Sequence, residues 1–189
     1  MKYVRPLNLF MDLHKAKPRG RILGLDVGDK YVGLAISDPS NKIAHPVSVL
    51  LRKKSTLDLM AEDFNSLVSM FSVAAFVVGY PFTESRRGCP EAVQVKLLVE
   101  DLCKTRRLQG VKYTYWNECF TSKNGEYLLK DLRSFHPVEQ KTIVDKFAAV
   151  GILQGYLDYV NRKLKSDQKN PSPLLISSKE TEVTDQTTV

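Results

Sequence analysis

The 189-residue chain has only three cysteines, and Cys89, Cys103 and Cys119 stand far apart. An odd, sparse set without metal-site spacing excludes a disulfide scaffold and a zinc ribbon, and fits free thiols in a reducing compartment. No apolar run approaches the roughly 20 residues that a membrane helix needs, so no membrane partner is expected. Residues 1–20 lack the apolar run of a secretory signal. They also lack serine, which argues against a transit peptide. No segment repeats. The three histidines, His14, His45 and His136, fall in different predicted elements, so none receives a catalytic role.

What is present is a core. Hydrophobic residues make up 43% of the chain, and mean hydropathy is −0.23. Those values fit one soluble domain. The net charge of +7 is partly local. Lys2, Arg5, Lys15, Lys17 and Arg19 face Asp12 alone in residues 1–20, whereas the tail from Lys163 onward is balanced. The remaining excess permits an anionic partner such as nucleic acid without demanding one. We expect a basic N-terminal extension at 1–20, a domain at 21–163 and a polar, disordered tail at 164–189.

The organising stretch is Gly24-Leu25-Asp26-Val27-Gly28, followed by Val32-Gly33-Leu34-Ala35-Ile36-Ser37-Asp38. It reads as two strands, Arg21–Val27 and Tyr31–Ser37, around a turn. Asp26 is an acid at the end of an apolar run, where desolvation penalises an unpaired charge. A turn-forming aspartate is one reading; a carboxylate held at a sheet edge for metal or phosphate chemistry is the other. Asp38-Pro39-Ser40-Asn41 makes a second turn. A third strand is expected over Lys42–Leu51, with Pro46 marking it as an edge.

Alternating helices and strands come next. A helix ends near Phe71, Val73–Gly79 is an apolar strand covered on both faces, and Pro90 opens a helix to about Arg107. Val111–Trp116 is a fifth strand, and Thr121 or Ser122 opens a further helix. Pro137 starts a long helix to about Lys163. A meander followed by alternating elements predicts an α/β fold: a mixed five-stranded sheet with helices on both faces. With the first, fourth and fifth strands parallel, Asp26, Gly79 and Glu118 reach one edge of the sheet.

Asp145 is an anomaly. At helical spacing it shares a face with Ala148, Ala149, Ile152 and Tyr156, so an acid occupies an apolar stripe. A buried ion pair is the plain explanation, as ordinary loop chemistry is for Glu118. The combination says more. Three acids that the fold can bring to one point repel unless a cation neutralises them, and oxygen ligands suit Mg²⁺ or Mn²⁺.

These stretches, with Val77-Val78-Gly79-Tyr80-Pro81, Glu118 with Thr121-Ser122, and Asp145-Lys146-Phe147-Ala148-Ala149, resemble the YqgF/RuvX family over about Arg21–Arg162. The resemblance implies an RNase H-like fold and a metal-dependent endonuclease that acts on precursor rRNA ends or Holliday junctions. It implies Asp26, Glu118 and Asp145 as catalytic and metal-binding acids, holding two Mg²⁺ or Mn²⁺ ions. Lys30, Arg86, Arg87 and Lys123 are expected along the nucleic acid. Partners would be nucleic acid and ribosomal precursor particles, with a monomer or homodimer in the cytoplasm or an organelle. The family usually carries Arg where Tyr31 and Cys119 stand, and Asp where Asn117 stands. Two rivals stay open: a catalytically inactive nucleic-acid or pre-ribosome binding module, and an ATP-using protein of the actin/Hsp70 class. The latter needs two lobes, and this chain has room for one.

Overall fold

The computed structural model describes residues 1–52, 57–82, 89–117 and 137–169, with side chains of the last stretch described from 143 to 166. Its elements are β1 (Lys2–Tyr3), α1 (Pro6–Lys15), β2 (Arg21–Val27), β3 (Tyr31–Ser37), β4 (Ala44–Leu51), α2 (Leu57–Phe71), β5 (Val73–Tyr80), α3 (Pro90–Lys104), β6 (Lys112–Asn117) and α4 (Pro137–Lys169). The strands form one mixed sheet in the order β1-β6-β5-β2-β3-β4. β2, β3 and β4 are the antiparallel meander; β2, β5, β6 and β1 run parallel.

Strand period two sorts the core into two layers. Leu23, Leu25, Val32, Leu34, Phe76 and Val78 face α2 and α3, packing on Phe64, Val95, Leu98 and Leu102. Ile22, Ala35, Ala75 and Val77 face α1 and α4, packing on Phe10, Leu13, Leu153 and Tyr156. The second face also carries Gly24, Gly33 and Gly79 beside its two alanines, so α4 can lie close to the sheet.

Residues 1–20 are built into this layer. β1 adds a sixth strand, through Lys2 N–H to the Val111 carbonyl and Val4 N–H to that of Tyr113. Leu9, Phe10 and Leu13 of α1 are buried. The Tyr156 hydroxyl donates to the Pro6 carbonyl at 2.9 Å, and burial holds that phenol well above its usual pKa.

Three element ends differ from expectation for local reasons. β4 begins at Ala44 rather than Lys42, because Asp38 Oδ1 takes the N–H groups of Lys42 (2.6 Å) and Ile43 (2.9 Å). α3 ends at Lys104 rather than Arg107, because Arg106 adopts a positive φ of 58°. α4 continues to Lys169. Pro46, on the outer strand, sits where the β3–β4 register shifts, as a residue without an N–H requires. The helix expected from Thr121 or Ser122 lies outside the described residues, as do Ser55 and Thr56, which stand before α2 in the sequence.

A buried polar chain fixes the far end of the meander. Ile22 N–H donates to Ser37 Oγ at 2.8 Å, and Ser37 donates in turn to Asn41 Oδ1. Asn41 Nδ2 reaches the Gly20 carbonyl, and Asn161 of α4 reaches that of Asn41, both at 3.0 Å. Every step pairs a group that would be costly to bury alone.

Asp38 in this turn titrates far from its usual range. Burial opposes its ionisation, but the Ser40 hydroxyl and the N–H groups of Ile43, Lys42 and Ser40 outweigh burial and bring it down to about 2. A depressed folded-state value makes this contribution full above the ordinary pKa of 3.8, and lost as pH falls through 2. Asp38→Ala should therefore lower unfolding stability by about 1–2 kcal/mol at pH 7. In chemical denaturation series the two proteins should converge below pH 2.

Candidate active site

The site is assembled around Gly33. Gly33 is paired with Asp26 across the β2–β3 ladder. A methyl group on Gly33 would overlap the carbonyl of Asp145, so the α4 backbone lies directly on this glycine. The alternation that turns Gly24 toward Leu153 also turns Asp26 toward α4. Asp26 and Asp145 thus both adjoin Gly33 on one face of the sheet. Close approach recurs along α4: a Cβ on Gly24 would stand 2.7 Å from Leu153 Cβ, and one on Gly79 would stand 2.5 Å from Ile152 Cδ1. No larger residue fits beneath the helix at Gly33.

Asp145 does open the apolar stripe, since Ala149, Ile152 and Tyr156 behind it are buried. Its Oδ2 is shut off from solvent, while Asp26 is half-buried at the strand end. Leu25 pairs with Val78; one residue on, Gly79 pairs with Trp116 and Tyr80 with Asn117, the last residue of β6. Asp26, Gly79 and Asn117 therefore lie at the carboxyl edge of the three parallel strands, where open α/β sheets place their ligands. Glu118 follows Asn117 in the sequence and lies outside the described residues, as do Arg86, Arg87, Cys119 and Lys123. Among the described residues, no group of three acids, histidines or cysteines assembles.

The turn after Asp26 is held by its backbone. Gly28 N–H donates to the Tyr31 carbonyl at 3.0 Å, and Arg52 N–H to the Lys30 carbonyl at 2.8 Å. Lys30 is exposed on this turn; Tyr31, half-buried, opens β3 opposite Leu51. In the sequence Arg52 opens a basic run, Arg52-Lys53-Lys54, which by itself reads as solvated surface. The structure places it elsewhere. Its guanidinium donates to the Gly28 carbonyl (3.1 Å), and to Oε1 (2.8 Å) and the carbonyl (3.3 Å) of Gln94 on α3. Arg52 thereby joins the turn that follows Asp26 to α3. Only its place at the end of the edge strand, against the first turn, could have signalled this.

Comparison with known proteins places the chain among the hydrolytic nucleases. In particular, it belongs to the family whose model, described as "RuvX: Holliday junction resolvase", matches residues 20–159. A protein of Carboxydothermus hydrogenoformans named "Putative pre-16S rRNA nuclease" is 33% identical over 142 residues, covering 75% of this chain and 99% of its own. A protein of the same name from Caldanaerobacter subterraneus subsp. tengcongensis is 36% identical over 138 residues, covering 73% and 96%. The solved structure "T. thermophilus RuvC in complex with Holliday junction substrate" is 14% identical with a TM-score of 0.48, covering 75% of this chain and 96% of that one.

The contact at Gly33 makes a direct test. Gly33→Ala should displace α4 from the sheet, lower stability by about 1–3 kcal/mol and reduce cleavage. Thermal melts read the first effect and nuclease assays the second. Arg52→Met should loosen the turn and slow cleavage by about tenfold or more with little change in substrate affinity, and Arg52→Lys should restore only part of the rate, because a point charge cannot form the fork.

Proposed function

We propose that the chain hydrolyses phosphodiester bonds at the carboxyl edge of its sheet, with Asp26 and Asp145 as the described part of the acidic centre and Glu118 as its third member. The observation that carries this reading is the convergence of both acids on Gly33 from different elements. The donors offered there are carboxylate oxygens, which suit a hard divalent cation such as Mg²⁺ or Mn²⁺. When bound, such ions supply an activated water and neutralise the charge developing on phosphate.

The chain's own residues supply position. Asp26 is fixed by the β2–β3 ladder and Asp145 by a helix that cannot shift without striking Gly33, so the two carboxylates come pre-arranged. No histidine, cysteine or serine nucleophile is required. Lys30 projects from the adjoining turn and is available to a phosphate, with Arg86, Arg87 and Lys123 as further backbone contacts. The names of the relatives favour a precursor rRNA end as substrate, in ribosome biogenesis. The family description favours a four-way DNA junction as the second reading.

Wild type, Asp26→Asn and Asp145→Asn should be compared on both substrates with Mg²⁺ or Mn²⁺. We expect the wild type to cut the precursor RNA end, and each variant to lose about a thousandfold in rate while still binding. Cutting confined to the junction would move the substrate assignment to DNA. Equal inactivity of all three proteins with binding retained would leave a binding module, the reading to which Tyr31, Asn117 and Cys119 point.

A further inference from the structure

The sheet has one face strip that no function has yet absorbed. α2 and α3 pack over β5, β2 and β3; on the same face Tyr113 and Tyr115 of β6 pack against the margin of that core, and Tyr3 of β1 lies beside Tyr113. Tyr113 and Tyr115 are half-buried, and Tyr3 is 50% exposed. The strip continues without a break. The Tyr3 and Tyr115 rings lie 6.1 Å apart, Tyr115 and Tyr80 5.0 Å, and Tyr80 and Phe82 4.9 Å. Tyr113 bridges Tyr3 at 5.7 Å and Tyr115 at 5.6 Å. Phe82, at the inner end, is 53% exposed just past β5, at the carboxyl edge that also carries Asp26. A row of large rings with exposed ends is unusual on a water-facing sheet surface and marks a contact surface.

Charge decides what kind of contact. Lys96 Nζ stands 5.6 Å over the Tyr80 ring, and Glu100 of α3 acts on Tyr113. Among the described residues these two charges offset each other, so what the strip offers a ligand is ring surface more than charge. Burial pushes both Tyr113 and Tyr115 up from their usual pKa, so their rings stay neutral and apolar across the working range. The rings also brace one another, Tyr113 against Tyr115 at 81° and Tyr80 against Phe82 at 64°. A braced, neutral aromatic surface binds by stacking, and stacking needs unpaired bases.

We propose that Tyr3, Tyr113, Tyr115, Tyr80 and Phe82 form a base-stacking track that guides a single-stranded stretch of nucleic acid to the carboxyl edge, with Lys96 against its backbone. The proposal deepens the nuclease reading and rests on it for the direction of travel. It restricts the substrate to one with an unpaired segment beside the cut.

The test uses the full chain, with Tyr3→Ala/Phe82→Ala at the exposed ends and Tyr3→Phe/Phe82→Trp as the ring-keeping control. Binding of a single-stranded RNA and of the same sequence as a duplex is followed by fluorescence anisotropy, and cleavage in parallel. The alanine variant should lose about tenfold or more in single-strand affinity with duplex affinity unchanged, and the control should bind as the wild type does. Unchanged single-strand affinity, or an equal loss for duplex, overturns the track. Sedimentation of both proteins covers the other occupant: a wild-type dimer that the alanine variant abolishes makes the strip a self-association face and also overturns it. Ring-dependent single-strand binding by a protein that cuts nothing would uphold the track while removing the nuclease reading.

Discussion

The structure depends on one close approach, the α4 backbone resting on Gly33. Helix and sheet pack at a distance set by the side chains between them, and on this face Gly24, Gly33, Ala35, Ala75 and Gly79 stand among the larger Ile22 and Val77. On the opposite face Leu, Val, Ile and Phe hold α2 and α3 further off. The asymmetry has a chemical consequence. Aspartate has a short side chain, so a helix-borne acid such as Asp145 can reach a sheet-borne one such as Asp26 only where the two backbones nearly touch. The apolar burial of Ala149, Ile152, Leu153 and Tyr156 behind Asp145 offsets the unfavourable placement of an acid at the head of the stripe.

The remaining polar interactions keep that approach in register. Gln154 of α4 accepts the Ala44 N–H at 2.8 Å and donates to the Lys42 carbonyl at 3.0 Å. Asn161 adds a bond to Asn41, and Tyr156 a bond to Pro6, the first residue of α1. These contacts fix α4 at intervals behind Asp145, so rotation of the helix would break several of them together. Arg52 does the corresponding work on the turn side, since its fork cannot be satisfied unless Gly28 and Gln94 keep their places.

Much of this was legible in the sequence because it was encoded locally. The meander showed as period-two patterning broken by turn residues, and β5 as an unbroken apolar run. Asp145 was legible because helical spacing put an acid among alanines and large apolar residues. A glycine inside a strand, as at Gly33, signals that something approaches closely, but not what approaches, since the partner here lies more than a hundred residues away. Arg52 was opaque for the same reason: its partners are a carbonyl and a glutamine on other elements, and nothing beside it in sequence sets it apart from Lys53. β1 is two residues long, too short for a period to show. The aromatic strip is drawn from three strands and a residue two places past the end of one of them, and only Tyr113 and Tyr115 are neighbours at strand spacing.

The hairpin after Asp26 shows how charge is supplied near the acidic pair. Tyr31 opens β3 half-buried against the edge strand, where the family usually carries arginine. Arg52, the guanidinium described nearest this turn, is committed to Gly28 and Gln94 and serves the backbone. That leaves Lys30 as the exposed cation of the turn. A lysine offers a mobile point charge, whereas an arginine fork imposes one geometry on a phosphate. Among the described residues at this edge, geometric constraint comes instead from backbone packing: α4 rests on Gly33, the strand partner of Asp26, and so fixes Asp145 beside it. On the proposed reading, the helix contact at Gly33 sets the spacing of the two carboxylates, while the adaptable cation beside them sets none.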